Sequence, residues 1–217
     1  MSKFKKQFIN FLVRALVRAD NLIYKVISRL VVLVNNGVHP KHDILNYHQF
    51  FIDNISSSDT VLDVGCGKGM VAFDVAVKAR EVIGIDISVA NIDWAQTHYV
   101  KENLKFVVGD ATDYNFGNRF DKIILSNVLE HIDKRVDFLN KLHGVSDTVL
   151  LRVPLIERDW LTMYKQKNGL EYRLDSTHFI EYTVVGLAHE LEQAGWKVES
   201  YNVKFGEWWG VVVPFFV

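Results

Sequence analysis

Three aspartates stand at matching places in the chain, each at the end of a run of Val, Ile and Leu: Asp63 in VLDVG, Asp86 in VIGID and Asp110 in FVVGD. Directly after the first comes GCGKG, with Gly65, Gly67 and Gly69 at alternate positions. Carboxylates at strand ends accept hydrogen bonds from ligand hydroxyls and amines, or balance an ammonium group. Glycines there let backbone N–H groups approach a ligand closely. Two histidines add proton chemistry: His131, which follows Glu130 in SNVLEHI, and His178 in DSTHFIEYT. Imidazole titrates near neutrality and is the usual side chain for taking a hydroxyl proton.

The spacing restricts the ligand. A dinucleotide site asks for G-x-G-x-x-G, and Met70 occupies the position of the third glycine. A phosphate loop asks for Gly-Lys-Ser/Thr, whereas Lys68 is followed by Gly69 and Met70. Asp63, two residues before Gly65, would repel a pyrophosphate and would suit an ammonium. Asp86 lies 21 residues after Gly65, where a carboxylate meets both ribose hydroxyls. Asp110 could accept from an exocyclic adenine amine, with the Ala111 backbone at the ring edge. A nucleoside carrying an amino acid satisfies all three. Each aspartate alone could simply cap a helix; three at successive strand ends beside the glycines make capping alone an insufficient account.

Such acids need strands that end together. Residues 60–64, 81–87, 104–110, 120–128 and 148–154 are short, Val/Ile/Leu-rich and barely alternating, as strands buried on both faces are. Residues 69–79, 88–98 and 131–143 between them pattern as helices, and this rhythm predicts a parallel sheet with helices on both faces. A helix over 181–196 and two closely spaced strands, 197–205 and 209–217, complete the domain. Residues 40–57 pattern as one helix before the first strand. Residues 155–180 carry few strand signals and are expected as an insertion over the open edge of the sheet, above the active site. The domain is thus 39–217, preceded by a basic helix in 1–38.

The four blocks VLDVGCGKG, VIGIDIS, VVGDATD and FDKIILSNVLEHI occur in the order seen in class I S-adenosylmethionine-dependent methyltransferases, and residues 40–215 resemble that family. The resemblance implies a Rossmann-like sheet of seven strands with the last inserted antiparallel, and S-adenosylmethionine as cofactor. It assigns the cofactor to Asp63, Gly65, Cys66, Gly67, Gly69, Asp86, Ile87, Asp110 and Ala111, with Ser126, Asn127 and Val128 at the methionine end. Lys41, His42 or Tyr47 would reach the methionine carboxylate. His131 and His178 are the candidate bases, with Tyr182 and Thr183 bordering the acceptor. The eight histidines show no metal-ligand spacing, and no metal is expected. The implied activity is methylation of a small-molecule, sugar or lipid-linked glycan acceptor, at oxygen. Methylation of carbon or nitrogen on a quinone-like metabolite is the alternative, as is a non-catalytic scaffold that keeps the cofactor.

Charge and composition bound the partners. Residues 1–38 carry a net +6 and the remainder −7. So acidic a body is a poor match for nucleic acid. Cys66 is the single cysteine, so the chain forms no internal disulfide and suits the reducing cytoplasm. On a helical wheel, Lys3, Gln7, Arg14, Arg18, Asn21, Lys25 and Arg29 share a narrow stripe, and Phe8, Leu12, Leu16, Ile23, Val26, Ile27 and Leu30 fill the broad remainder. Residues 1–34 must therefore bury an apolar face on their own domain, on a second copy of the chain as a homodimer, or at a membrane surface.

Overall fold

The computed structural model describes residues 1–215; the end of the strand expected over 209–217 lies outside them. A long helix, α1 (Lys3–Val34), leads into two short ones, α2 (Lys41–Leu45) and α3 (Tyr47–Asp53). The alternating core follows as β1 (Thr60–Val64), α4 (Met70–Val75), β2 (Glu81–Asp86), α5 (Val89–His98), β3 (Leu104–Val108) and β4 (Lys122–Ser126). A 3₁₀ turn (Leu129–His131), α6 (Arg135–Leu142), β5 (Val149–Pro154), a second 3₁₀ turn (Ile156–Arg158) and α7 (Trp160–Lys167) come next. The chain closes with α8 (Val184–Gln193), β6 (Trp196–Lys204) and β7 (Glu207–Pro214).

The seven strands form one sheet in the order β3-β2-β1-β4-β5-β7-β6. The first five are parallel, and β7 is inserted antiparallel to both β5 and β6. Alternate residues feed two cores. Leu62, Val64, Ile123 and Leu125 face α6 and α8; Val61, Val82, Ile124 and Leu150 face α3, α4 and α5. The middles of β1, β2, β4 and β5 are covered on both faces, which is why these strands read as largely apolar runs, whereas β6 at the sheet edge is mostly exposed and polar. In-register pairing of Asp63 with Gly84 and of Asp86 with Val108 brings the carboxyl ends of β1, β2 and β3 to one edge.

Several boundaries differ from the expected ones. The single helix expected over 40–57 is broken at Asn46, which adopts the left-handed conformation (φ 49°, ψ 40°) between α2 and α3. The helix expected from 131 begins at Arg135, and His131 sits in the 3₁₀ turn before it. The strands expected to reach 87, 110 and 128 end at Asp86, Val108 and Ser126, leaving their last residues free for turns. Residues 155–180 lie outside the seven strands; Leu155 forms an isolated parallel bridge with Tyr182, just past the segment's far end, and its N–H donates to the Gly206 carbonyl (2.8 Å). They lie over the exit of β4, where the Phe179 N–H donates to the Glu130 carbonyl (2.8 Å).

Candidate active site

The loop after β1 is shaped by its glycines. Gly65 (φ 64°) passes so close to Val128 that a Cβ would stand 2.6 Å from the valine Cγ2. Gly69 (φ 79°) is pressed on the Phe106 ring, 2.5 Å from where its Cβ would be. Both the backbone angles and the contacts exclude a side chain. Asp86 holds the loop from β2: its Oδ2 accepts from the Gly67 N–H (2.8 Å) and its Oδ1 from the Ser88 N–H (2.9 Å). Cys66 packs half-buried beneath, where burial pushes its thiol pKa far up, so the thiol stays protonated.

Gly65 lies between two cavities. The larger, about 700 Å³, is lined by Asp86, Ile87, Asp110, Ala111, Val128 and His131, among others. Asp110 and Thr112 close a tight turn there, with Asp110 Oδ1 accepting from the Thr112 N–H (2.9 Å) and hydroxyl (2.7 Å). The smaller, about 250 Å³, is lined by Lys41, Tyr47, Asp63, Ser126, Asn127 and Arg152, among others.

The smaller cavity carries both a buried carboxyl and basic side chains on its walls. Asp63 is buried and its Oδ2 has no hydrogen-bond partner. Burial pushes its pKa up to about 8, against a hydrogen bond from the Ala72 N–H. The basic side chains are Lys41 and Arg152. Burial, then the charge of Arg152, lowers the Lys41 pKa. Arg152 is held in a buried bidentate pair with Glu207 (both 2.7 Å), donates to Ser126 Oγ (3.2 Å) and stacks on Tyr47 with its guanidinium 3.6 Å from the ring centre. The Tyr47 hydroxyl contacts His42 Nδ1 (2.6 Å), and burial with neighbouring cations lowers the His42 pKa to about 4. A buried carboxyl with a free oxygen, in a cavity also lined by Lys41 and Arg152, fits an amino-acid zwitterion, ammonium towards Asp63 and carboxylate towards the basic side chains. Asn127, left-handed at φ 56° and with a buried, unpartnered Oδ1, adds another free acceptor on this wall.

At the other side of Val128, the two candidate histidines meet. Their rings pack edge to face, with centroids 4.6 Å apart. His131 lines the larger cavity, and its Nδ1 lies 2.9 Å from Thr177 Oγ1. That hydroxyl gives its hydrogen to Asp175 Oδ1 (2.8 Å), so it accepts from His131. The neutral His131 ring therefore carries its hydrogen on Nδ1 and leaves Nε2 as an acceptor. Burial, then the His178 charge, lowers its pKa, which keeps it neutral at pH 7. His178 is buried behind it, with Nδ1 on Glu181 Oε1 (3.2 Å); Glu181 is in turn paired with Arg158. Glu130 is buried with both carboxylate oxygens unpartnered, and burial raises its pKa to about 7. One ligand atom each from Glu130, His131 and His178 lies within 4.8 Å of the others, so a metal could be held here although the sequence spacing showed none. Thr177, Glu181 and Glu207 had no distinguishing signal in the sequence; they act through partners 46, 3 and 55 residues away.

Residues 61–147 match the family model of a methyltransferase domain. Among curated proteins, the chain is 30% identical over 118 residues to a ubiquinone biosynthesis O-methyltransferase of Bartonella tribocorum, covering 52% of this chain and 48% of that one. It is 30% identical over 161 residues to the mitochondrial ubiquinone biosynthesis O-methyltransferase of Candida albicans, covering 68% and 48%. The chain thus spans about half the length of these relatives. Among solved structures, a protein of Pyrococcus horikoshii superposes with a TM-score of 0.66 at 19% identity, over 82% of this chain and 92% of that one. The magnesium protoporphyrin IX methyltransferase of Synechocystis, solved with bound SAH, superposes with a TM-score of 0.61 at 18% identity, over 80% and 83%.

Proposed function

We propose that this chain, which carries a methyltransferase domain on the class I methyltransferase fold, moves a methyl group from S-adenosylmethionine to a hydroxyl oxygen of a small acceptor. The observation that carries this reading is the lining of the smaller cavity, a buried Asp63 with a free oxygen together with Lys41 and Arg152. A ligand with both an ammonium and a carboxylate matches the groups that line it. When bound, S-adenosylmethionine supplies a methyl group made electrophilic by its sulfonium. Asp63 holds the amino group, and Lys41 with Arg152 holds the carboxylate. Asp86, beside the loop it anchors, takes the ribose, while Asp110 and Ala111 take the adenine. Ser126, Asn127 and Val128 form the floor between the two cavities.

Oxygen is favoured as acceptor because an O–H must lose a proton, and His131 offers an unprotonated Nε2 on the cavity wall. Thr177 and His178 hold that ring from behind, so each is a positioning residue. The relatives named as O-methyltransferases of ubiquinone biosynthesis support a small acceptor and oxygen as the methylated atom. A sugar or lipid-linked glycan would present the same hydroxyl chemistry. The single cysteine suits the cytoplasm as its compartment.

Incubation of the protein with methyl-labelled S-adenosylmethionine and fractionated cell extract tests the reading. Label should enter an alkali-stable ether in a small-molecule fraction. Label recovered only on nitrogen or carbon would overturn the oxygen assignment, and no uptake with no cofactor binding would overturn the activity.

A further inference from the structure

α1 spans 32 residues, a rod of about 48 Å at 1.5 Å per residue. Of its side chains only Val17 is buried. The contacts that dock it are polar. Arg14 donates to the Asn168 carbonyl (3.2 Å) and Asn21 to the Glu171 carbonyl (2.9 Å), while Lys165 reaches Asp20 and Asn21 (both 2.8 Å). Ser28 pairs with His39 (3.1 Å). At 100° per residue, Val17, Asn21 and Ser28 lie along one line of the helix, which is the line facing the domain. Leu12, Ile23, Val26 and Leu30 lie on the opposite side, and Leu12 at 42% is the least exposed of them. The apolar face thus points away from the protein instead of into it. An apolar face of this breadth normally packs against something, and here the domain does not cover it.

The partner's chemistry follows from charge. Arg18, Lys25 and Arg29 run along one edge of the exposed arc. The single acid of the helix, Asp20, is taken by Lys165. The outer face therefore combines apolar side chains with a basic border and no opposing acid, whereas the rest of the chain is net −7. An anionic lipid surface complements the helix and repels the body, so one orientation is selected. No helix of the described residues is long and apolar enough to cross a membrane, which fits an element lying in the interface plane. The inner side of the same helix is bonded to Lys165–Glu171, in the segment that continues to Thr177 and His178 over the active site.

We propose that α1 is an interfacial helix that beds its outer arc into an anionic lipid leaflet and so sets the acceptor entrance at that surface. The second half of this statement rests on the methyltransferase reading above; the first does not. The acceptor class it implies is a membrane-resident or lipid-linked hydroxyl compound.

Flotation of the full chain with phosphatidylcholine vesicles, with and without phosphatidylglycerol, tests it. The protein should float with the anionic vesicles only, and high salt should release much of it. Arg18→Glu, Lys25→Glu and Arg29→Glu should each weaken partition by roughly fivefold or more, the worth of one cation near an anionic leaflet. The Leu12→Glu/Ile23→Glu/Leu30→Glu variant should stay at the bottom of the gradient while binding S-adenosylmethionine normally in calorimetry. Hydrogen exchange in Lys165–Glu171 should slow when anionic vesicles are added. Absence of flotation, or flotation unchanged by the triple variant, overturns the proposal. So does a wild-type dimer that the triple variant converts to a monomer, since a second copy then covers the arc. Flotation with no binding of S-adenosylmethionine would leave the lipid surface standing and overturn the activity instead.

Discussion

The rings of His131 and His178 meet at 82°, with centroids 4.6 Å apart, although 46 residues of chain separate them. One ring lines the cavity and the other is buried behind it, so two residues that the sequence offered as rival bases occupy different ranks. His131 has the open nitrogen, and His178 fixes the edge on which it rests.

His131→Ala should lower kcat on a hydroxyl acceptor by roughly 10²–10⁴-fold, the usual worth of a general base. S-adenosylmethionine affinity should stay within a factor of about two, because no cofactor-binding role is assigned to the ring. Thr177→Val tests the tautomer. Without the acceptor for Nδ1–H, the pH–rate profile should shift while KM holds, and Thr177→Ser should restore the wild-type profile. An unchanged profile in the valine variant would show that Thr177 does not set the tautomer.

Asp86→Ala removes the acceptor proposed for the ribose, and with it the ties to Gly67 and Ser88. Hydrogen bonds to a charged group contribute about 1.5–3 kcal/mol each. Calorimetry should therefore show at least a tenfold loss in S-adenosylmethionine affinity. Asp86→Asn, which can keep one acceptor oxygen, should fall between the two. Equal affinity in all three proteins would remove the ribose from Asp86.

Gly65→Ala should destabilise the protein in two separable ways. A non-glycine residue at φ 64° costs about 1–2 kcal/mol, and the added Cβ collides with Val128. Combining it with Val128→Ala should recover the collision but not the backbone cost. Thermal melts of the single and double variants would show this partial recovery; full recovery or none would contradict the geometry.

The buried acids set the sign of the pH dependence. Burial raises Asp63 to about 8 and Glu130 to about 7. The folded chain then keeps protons that the unfolded chain has lost, so the unfolded state binds fewer. Their stabilising contribution is complete below about pH 4 and is lost as pH rises towards about 8. Cofactor-free melts should show this decline, and Asp63→Asn with Glu130→Gln should flatten it. S-adenosylmethionine should also flatten it, because its ammonium lets Asp63 ionise without penalty. A decline unaffected by the amides would place its origin in other groups.

Much of the strand-end edge that lines the candidate site was legible because its determinants are local. A parallel sheet sets its strands side by side in register, so acids that close successive apolar runs must emerge along one edge. Asp63, Asp86 and Asp110 could be placed there from spacing alone, as could the glycines between β1 and α4. The break at Asn46 was not legible. Asparagine tolerates the left-handed conformation but does not require it, and only the packing of α2 and α3 selects it.

What the tertiary structure alone decided are relationships across long separations. Arg152 and Glu207 pair because β7 inserts antiparallel beside β5 and sets Pro154 opposite Glu207. Thr177 orients His131 because residues 155–180 fold back over the exit of β4. The sequence by itself determined that residues 1–34 form a helix with a polar stripe and an apolar face, since that follows from its period. It could not determine which way the helix faces, because both faces fit a helix equally well. Lys165, Asn168 and Glu171 decided that by bonding to Arg14, Asp20 and Asn21, which turned the Val17–Asn21 line inward and left the opposite apolar arc out, with Arg18, Lys25 and Arg29 at its border.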